Sequence, residues 1–463
     1  MHRCQTVKFW IGNFFVLGVV IFFGPKIGSC ESIKDAMSKA YLSNPQLLAQ
    51  RANLRGTDET VAQALASWRP NVSISGSVGG AWETSSSSSP QGYEQRYPKT
   101  VDFTLTQALF RGGRTIASIS EAENNVKAAQ ARLLETEQDV LLSAANAYLA
   151  VFRDQAVLKL NVSNEQVLIR QLEAARDRFE VGEITRTDVN QSEARVAKSR
   201  ADRIQSEGDL KASRATYLKV IGTVPSASLN LPIVDFELPK SAAMAIDLAI
   251  VNNFGVVAAE FDRDAGIDNV RGVLGELMPS VNVSAGTGRD LETSSSSNRK
   301  TDHTVTLDVT IPIYQQGAVY SRLRQARQQA AENVFKIDQQ RRNASEEATQ
   351  SWESLIAARA RVNAFKRQVD ANVIALDGVQ QEATVGSRTV LDVLDAEQEL
   401  LDARVSHVKA QQEHLVATFE LKASVGQLTG RDLGFAAEVY DYQVHYNEVR
   451  GKWFGTRSSG DVE

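Results

Sequence analysis

The feature that most constrains this chain is that it is written twice. FEVGEITRTDVNQSEARV (179–196) aligns with ATVGSRTVLDVLDAEQEL (383–400) at a constant offset of 204 residues. Gly182 falls on Gly386, Thr185 on Thr389, Asp188 on Asp392 and Glu193 on Glu397. The same offset places LFRGGR (109–114) on IYQQGA (313–318), Tyr148 on Trp352 and Gly222 on Gly426. Upstream the offset becomes 209, pairing YLSNPQLLAQ (41–50) with IVNNFGVVAA (250–259) and WRPNVSISGSV (68–78) with LMPSVNVSAGT (277–287). The change of offset falls in one polar stretch, around 85–98. Several matches in order, with one length change in a loop, identify a duplication. The chain divides into a leader (1–30), a first repeat (31–235), a second repeat (236–430) and a tail (431–463).

The leader has the order of a secretory signal peptide. Arg3 and Lys8 precede an apolar run over 9–24, and the small residues Gly28, Ser29 and Cys30 follow. A retained membrane anchor is the alternative, but a run of roughly 16 residues is short for a spanning helix. IGSC (27–30) also has the form of a lipidation site at Cys30; Pro25 and Lys26, which separate it from the apolar run, favour ordinary cleavage. Cys4 and Cys30 are the two cysteines of the chain, so no disulfide framework is expected. No later apolar run reads as a transmembrane helix. Any membrane crossing by the exported chain must then be made by strands.

Each repeat has the same internal order. A helical segment comes first, broken at Asn44-Pro45 or Asn253-Phe254. An alternating stretch follows, with Val72, Ile74, Val78 and Trp82 interleaved by Ser73, Ser75 and Ser77. After a polar loop (83–99), Val101, Phe103, Leu105 and Leu109 alternate with Thr100, Asp102, Thr104 and Thr106. The second repeat has Val281, Val283 and Ala285, the loop 291–300, and then Val305, Leu307, Val309, Ile311 and Ile313. Period-two alternation predicts strands with one apolar and one polar face. The hairpins are expected near 71–110 and 280–313. Strands of about ten residues can cross an outer membrane when tilted. A soluble hairpin with one wet face is the competing reading.

A very long helix is expected after each hairpin. Residues 114–179 contain no proline and no glycine, and 318–384 contain only Gly378. A helix of 66 residues reaches roughly 100 Å, too long for a globule, so these helices must pack side by side. Shorter helices are expected over 186–220 and 388–425, past Val-Gly breaks at Gly182 and Gly386. Four spanning strands cannot close a barrel alone, because open edges in lipid leave backbone groups unpaired. An oligomer follows if the strands span: two copies give eight strands and three give twelve. The helices would then extend the pore as a tube.

The order of hairpin and long helix, together with VGSRTVLDVLDAEQELL (385–401), resembles the TolC family of outer-membrane efflux channels over residues 31–430. The resemblance implies an α+β membrane protein: a homotrimer whose twelve-stranded outer-membrane β-barrel continues as a long periplasmic α-helical barrel. It implies the exit duct of a tripartite efflux pump or type I secretion system in a Gram-negative bacterium, passively conducting drugs, toxic compounds or secreted protein. Its implied partners are a periplasmic adaptor protein, an inner-membrane transporter and outer-membrane lipid. Residues 385–401 then lie at the periplasmic tip. Asp392 and Asp395 match two aspartates that line the constriction, giving two rings of three carboxylates, which select cations. Crowding of like charges there is expected to raise some of their pKa values. Arg388 matches an arginine that ties neighbouring helix pairs in the closed state, with Asp188 and Thr187 on the other side of the tie. One departure stands out: the family's tyrosine two residues before the Val-Gly is replaced by Ala383.

Other chemistry finds little support. A net charge of −5 does not suit a nucleic-acid partner. His407 and His414 lie seven apart on a helix, with no acid or cysteine to complete a metal set, and read as surface positions. No enzyme activity, cofactor or metal site is expected. Four methionines argue against a copper specialist. A surface adhesin or coiled-coil stalk without a pore is the alternative from another class. The tail's aromatic part is expected to pack on the tube, and its last eight residues to be disordered.

Overall fold

The computed structural model describes residues 31–85, 92–227, 229–232, 237–435 and 439–457. The leader, with both readings of Cys30, residues 86–91 of the first polar loop and the final six residues lie outside them.

Two short helices open each half. Helices α1 (Ile33–Ser43) and α2 (Pro45–Ala66) meet at Asn44, whose Oδ1 accepts a hydrogen bond from the Gln46 amide at 2.9 Å, while Pro45 takes the first helical position. An asparagine cap followed by proline starts a helix without orphaning an N–H. The sheet elements of the first half are β1 (Asn71–Val78), β2 (Ala81–Ser85), β3 (Gly92–Arg96) and β4 (Lys99–Arg111). Helix α3 (Arg114–Glu180) runs 67 residues without interruption, and α4 (Arg186–Ile221) returns beside it. The second half follows with α5 (Ala242–Asn252), α6 (Phe254–Leu274), β5 (Ser280–Leu291), β6 (Arg299–Thr310), α7 (Ala318–Thr384, also 67 residues) and α8 (Val390–Ser424). Asn253 caps α6 as Asn44 caps α2. A last helix, α9 (Tyr442–Arg450), lies in the tail.

The four long strands form one antiparallel sheet in the order β1-β4-β5-β6. Its register sorts the residues by chemistry. Val72 pairs with Leu105, Leu105 with Ala285, and Ala285 with Val305. One residue along, Ser73, Thr104, Gly286 and Thr304 form the next row, and Ser75, Asp102, Gly288 and Asp302 form another on the same face. Side chains alternate across a strand. One face is therefore aliphatic and aromatic, and the other is hydroxyl, carboxylate and glycine. The apolar face is bare: Ile74, Val101, Val305 and Leu307 are all exposed.

Two details of the sheet differ from the sequence expectation. The polar segment 83–99 is not all loop, because β2 and β3 pair as a separate ribbon with Arg96 bonded to Glu83. The ribbon follows the Gly79-Gly80 break, which ends β1 early. Strand β6 stops at Thr310, although the alternation continues to Ile313. Pro312 has no N–H to give a neighbouring strand.

The stretch Ala242–Leu277 is also long and apolar enough by composition to cross a membrane, contrary to the expectation that no such run follows the leader. It is divided at Asn253 into α5 and α6. Ala245 and Ala249 of α5 pack against Leu355, Ala348 and Leu421 of the long helices.

The helices pair as α3 with α4 and α7 with α8. The main core lies where α1, α2, α3 and the top of α4 meet, around Tyr41, Leu54, Leu141, Tyr148, Leu149 and Tyr217. Each such leucine contributes about 1.5–3 kcal/mol by leaving water. The tail is fastened to this core. Arg51 is stacked between the rings of Tyr41 and Tyr440, at 4.6 and 4.8 Å. His445 Nδ1 lies 2.9 Å from Asp58 Oδ2, and both side chains are buried. His407 and His414 are both half-buried rather than surface positions, and burial pushes His414 below the usual histidine range.

Candidate functional site

The two helical hairpins end in tips built alike. At the end of α3, Gly182 has φ +80°, its N–H donates to Phe179 at 3.0 Å, and the Glu183 N–H donates to Arg178 at 2.9 Å. At the end of α7, Gly386 has φ +80°, with the equivalent bonds to Ala383 at 3.2 Å and from Ser387 to Glu382 at 3.0 Å. A left-handed glycine closing the last helical carbonyls is what lets each helix stop and reverse. The next helix then opens on a threonine. Thr185 caps α4 and Thr389 caps α8, each answered three residues later by an aspartate.

Those two aspartates are Asp188 and Asp392. Asp188 Oδ2 accepts from the Thr185 N–H at 2.9 Å and from its hydroxyl at 2.8 Å. Asp392 Oδ2 accepts from the Thr389 N–H and hydroxyl, both at 2.8 Å. These bonds, with Arg388 nearby, hold the Asp392 carboxyl below the usual carboxylate range. Within one chain, then, Asp392 moves opposite to the upward shift expected from crowded like charges. Reciprocal capping favours the ionised form.

The other tip residues are distributed as follows. Asp395, one turn along α8, is bonded to Arg195 of α4, so it links the two hairpins. Between the aspartates, Leu394 is 1% exposed and packs against Leu168, Leu172 and Val196. That small apolar cluster fixes the rotation of α8, which carries both carboxylates. Arg388 Nε donates to Glu382 at 2.8 Å, so its partner within the chain is Glu382 and not Asp188. Thr187 is exposed beside Asp188. Arg195 and Glu382 are the tip residues that sequence reasoning missed. Arg195 lies two helical turns past Asp188 on α4, but its bond is to Asp395, 200 residues on, and has no local signal in the sequence. Glu382 sits immediately before Ala383, the position that departs from the TolC pattern.

Higher on the helices, carboxylates behave differently. Burial pushes Glu135, Asp139 and Glu347 above the usual range, and Asp139 adds repulsion to both glutamates. Raised groups bind protons more tightly when folded, so they add stability as pH falls through their folded pKa values. Asp392 does the reverse: its contribution is present above the unfolded value and is lost as pH falls below it. The thermal midpoint followed by circular dichroism should therefore rise between neutral pH and about 5, then fall below about 4. Glu347→Gln should remove only its share of the rise, since Glu121, Glu137 and Glu397 are raised by burial as well, and should leave the fall. A monotonic loss of stability from neutral pH downward would contradict this assignment.

Among the described residues, no group of three or more His, Cys, Asp or Glu is placed to hold a metal ion. The arrangement is thus an acidic, hydrogen-bonded hairpin tip at one end of the long helices, and an amphipathic sheet at the other. The outer membrane efflux protein profile matches residues 36–223 and again 245–427. The chain belongs to the outer membrane efflux protein family. Outer membrane efflux protein BepC of Brucella suis biovar 1 (strain 1330) is 32% identical over 430 residues, covering 92% of each chain. Outer membrane protein TolC of Salmonella enteritidis is 24% identical over 420 residues, covering 88% of this chain and 84% of its own. The crystal structure of the outer membrane protein VceC from Vibrio cholerae superposes with a TM-score of 0.74 at 20% identity, covering 85% of this chain and 96% of that one. As an outer membrane efflux protein, the chain resides in the outer membrane and extends into the periplasm. It is an export channel, and nothing in these likenesses supports a stalk without a pore.

Proposed function

We propose that three copies of this efflux protein close into one twelve-stranded barrel continued by a helical tube, and that the tube is gated at the hairpin tips. The observation that carries this is the sheet. Its edge strands β1 and β6 run antiparallel to each other, its apolar face is exposed, and its other face is polar. Such a sheet satisfies its backbone in lipid only by pairing β1 of one copy with β6 of the next. The two family matches, and the equal 67-residue lengths of α3 and α7, support two repeats per chain.

At the tip, each copy supplies Asp392 and Asp395 to an acidic constriction. Asp392 keeps its charge further into acid than an ordinary aspartate because Thr389 holds it, while Arg195 offsets part of the Asp395 charge. Arg388, with Asp188 and Thr187 of the neighbouring hairpin, forms the latch, and Glu382 does the work of the missing tyrosine by holding Arg388 in place. The channel conducts passively. A periplasmic adaptor opens the latch and an inner-membrane transporter selects the cargo, whether small toxic compounds or secreted protein.

Closure is tested by cysteines on the polar face: Ser75→Cys on β1, combined in turn with Asp302→Cys, Thr304→Cys or Thr306→Cys on β6. Oxidation of one such pair should give a covalent trimer on a denaturing gel. A ladder that stops at the dimer would mean eight strands, and the absence of any product from all three pairs would overturn the closure.

A further inference from the structure

The tail ends its described course at an unexpected place. Beyond α9, Arg69 Nη1 donates to the Lys452 carbonyl at 2.7 Å, and the Arg69 guanidinium lies over the Trp453 ring at 4.9 Å. Arg69 is two residues before the first residue of β1. The tail is therefore fixed at the foot of the sheet, where the bilayer must begin if the sheet spans it. There it presents apolar surface: Trp453 is 59% exposed and Phe454 is 86% exposed, with ring centroids 6.5 Å apart. Trp68, beside Arg69, is exposed too. Lys452 folds back to bond the Arg457 carbonyl, closing the segment on itself, and its ammonium also lies 3.7 Å from Glu448.

We propose that residues 452–457, hung on Arg69, form an interfacial foot that seats Trp453 and Phe454 among the phospholipid headgroups of the periplasmic leaflet. The inference rests on the reading that the sheet spans the membrane. Three physical points favour lipid as the occupant. Indole and phenyl rings partition to the boundary between headgroup and hydrocarbon, and aromatic girdles mark that boundary on outer-membrane barrels. Arg69, whose guanidinium lies against the Trp453 ring, offers a cation to the phosphate of a phospholipid. The foot also hangs two residues before β1, the strand whose Val72 and Ile74 begin the exposed apolar face of the sheet. The foot would fix the height at which the tube meets the bilayer and tie the tail, through α9, to α2.

Full-length protein carrying Trp68→Phe, Trp82→Phe and Trp352→Phe leaves Trp453 as the reporter outside the leader. It is reconstituted in phosphatidylethanolamine–phosphatidylglycerol vesicles bearing a nitroxide either at the headgroup or deep in the acyl chain. Trp453 should be quenched roughly threefold more by the shallow label than by the deep one, and poorly by aqueous iodide. Quenching by iodide without quenching by lipid overturns the foot, since the rings are then in water. Protection from all three quenchers overturns it as well, since the rings are then packed against a second copy. A companion protein with Trp453→Phe and Ile74→Trp in the same background tests the underlying reading. Quenching of that tryptophan by the deep label keeps the sheet in the bilayer whatever Trp453 does. Its failure removes the spanning sheet and the foot together.

Discussion

A channel carrying Asp392→Asn and Asp395→Asn together is expected to lose its block by a trivalent cation, with the blocking concentration rising by about a hundredfold or more. Asparagine keeps an oxygen that can accept the Thr389 N–H at position 392, so the start of α8 should survive and the effect should report charge rather than unfolding. The single changes should be unequal. Asp392 is held ionised by its cap, whereas Asp395 already faces Arg195, so Asp392→Asn should have the larger effect. Arg195→Ala should act in the opposite direction, strengthening block severalfold by freeing the Asp395 charge. If the double variant and the wild type block at the same concentration, these two residues do not line the constriction.

The second large effect concerns the joint between sheet and tube. Gly112 and Gly113 follow β4 directly, and both have positive φ, +65° and +80°. Their surroundings differ. A Cβ on Gly112 would lie 2.3 Å from the Gly275 carbonyl oxygen and 2.7 Å from Met278 Cβ, while one on Gly113 would meet nothing within 4 Å. Gly113→Ala should therefore cost only the left-handed backbone penalty, about 1 kcal/mol. Gly112→Ala adds a backbone collision and should cost several kcal/mol, on the order of 3–5, enough to prevent assembly. The check is the yield of heat-resistant oligomer from the two variants at equal expression. Comparable yields would mean that the crossing of the two halves at Gly112 and Gly275 is looser than described.

Most of the fold could be read from the sequence because its signals are local. Asn44-Pro45, Gly182 and Gly386 mark helix ends by backbone chemistry that acts within four residues, and the helices end where those residues stand. The alternation of Val72, Ile74, Val101 and Phe103 fixed which face is apolar, and the sheet register sorts those residues as expected. The ribbon of β2 and β3 was missed because its strands are too polar to alternate. Ion pairing was the other blind spot. Asp188 and Asp392 were legible as tip residues, and T-x-x-D could have been read as a cap, but Arg195 with Asp395 is separated by 200 residues and Asp58 with His445 by 387. No periodicity encodes such a meeting. Arg388 shows the same limit: its residue type suited a latch, yet within the chain it turns to Glu382, six residues away.

The central claim is that this outer membrane efflux protein forms a pore closed at an acidic tip. It is tested most directly by single-channel recording of the purified full-length wild type in a planar bilayer. The channel should give small, cation-selective openings that a trivalent cation blocks from the helical side of the membrane only. Verified insertion with no conductance, or a large unselective current indifferent to the cation, would contradict it.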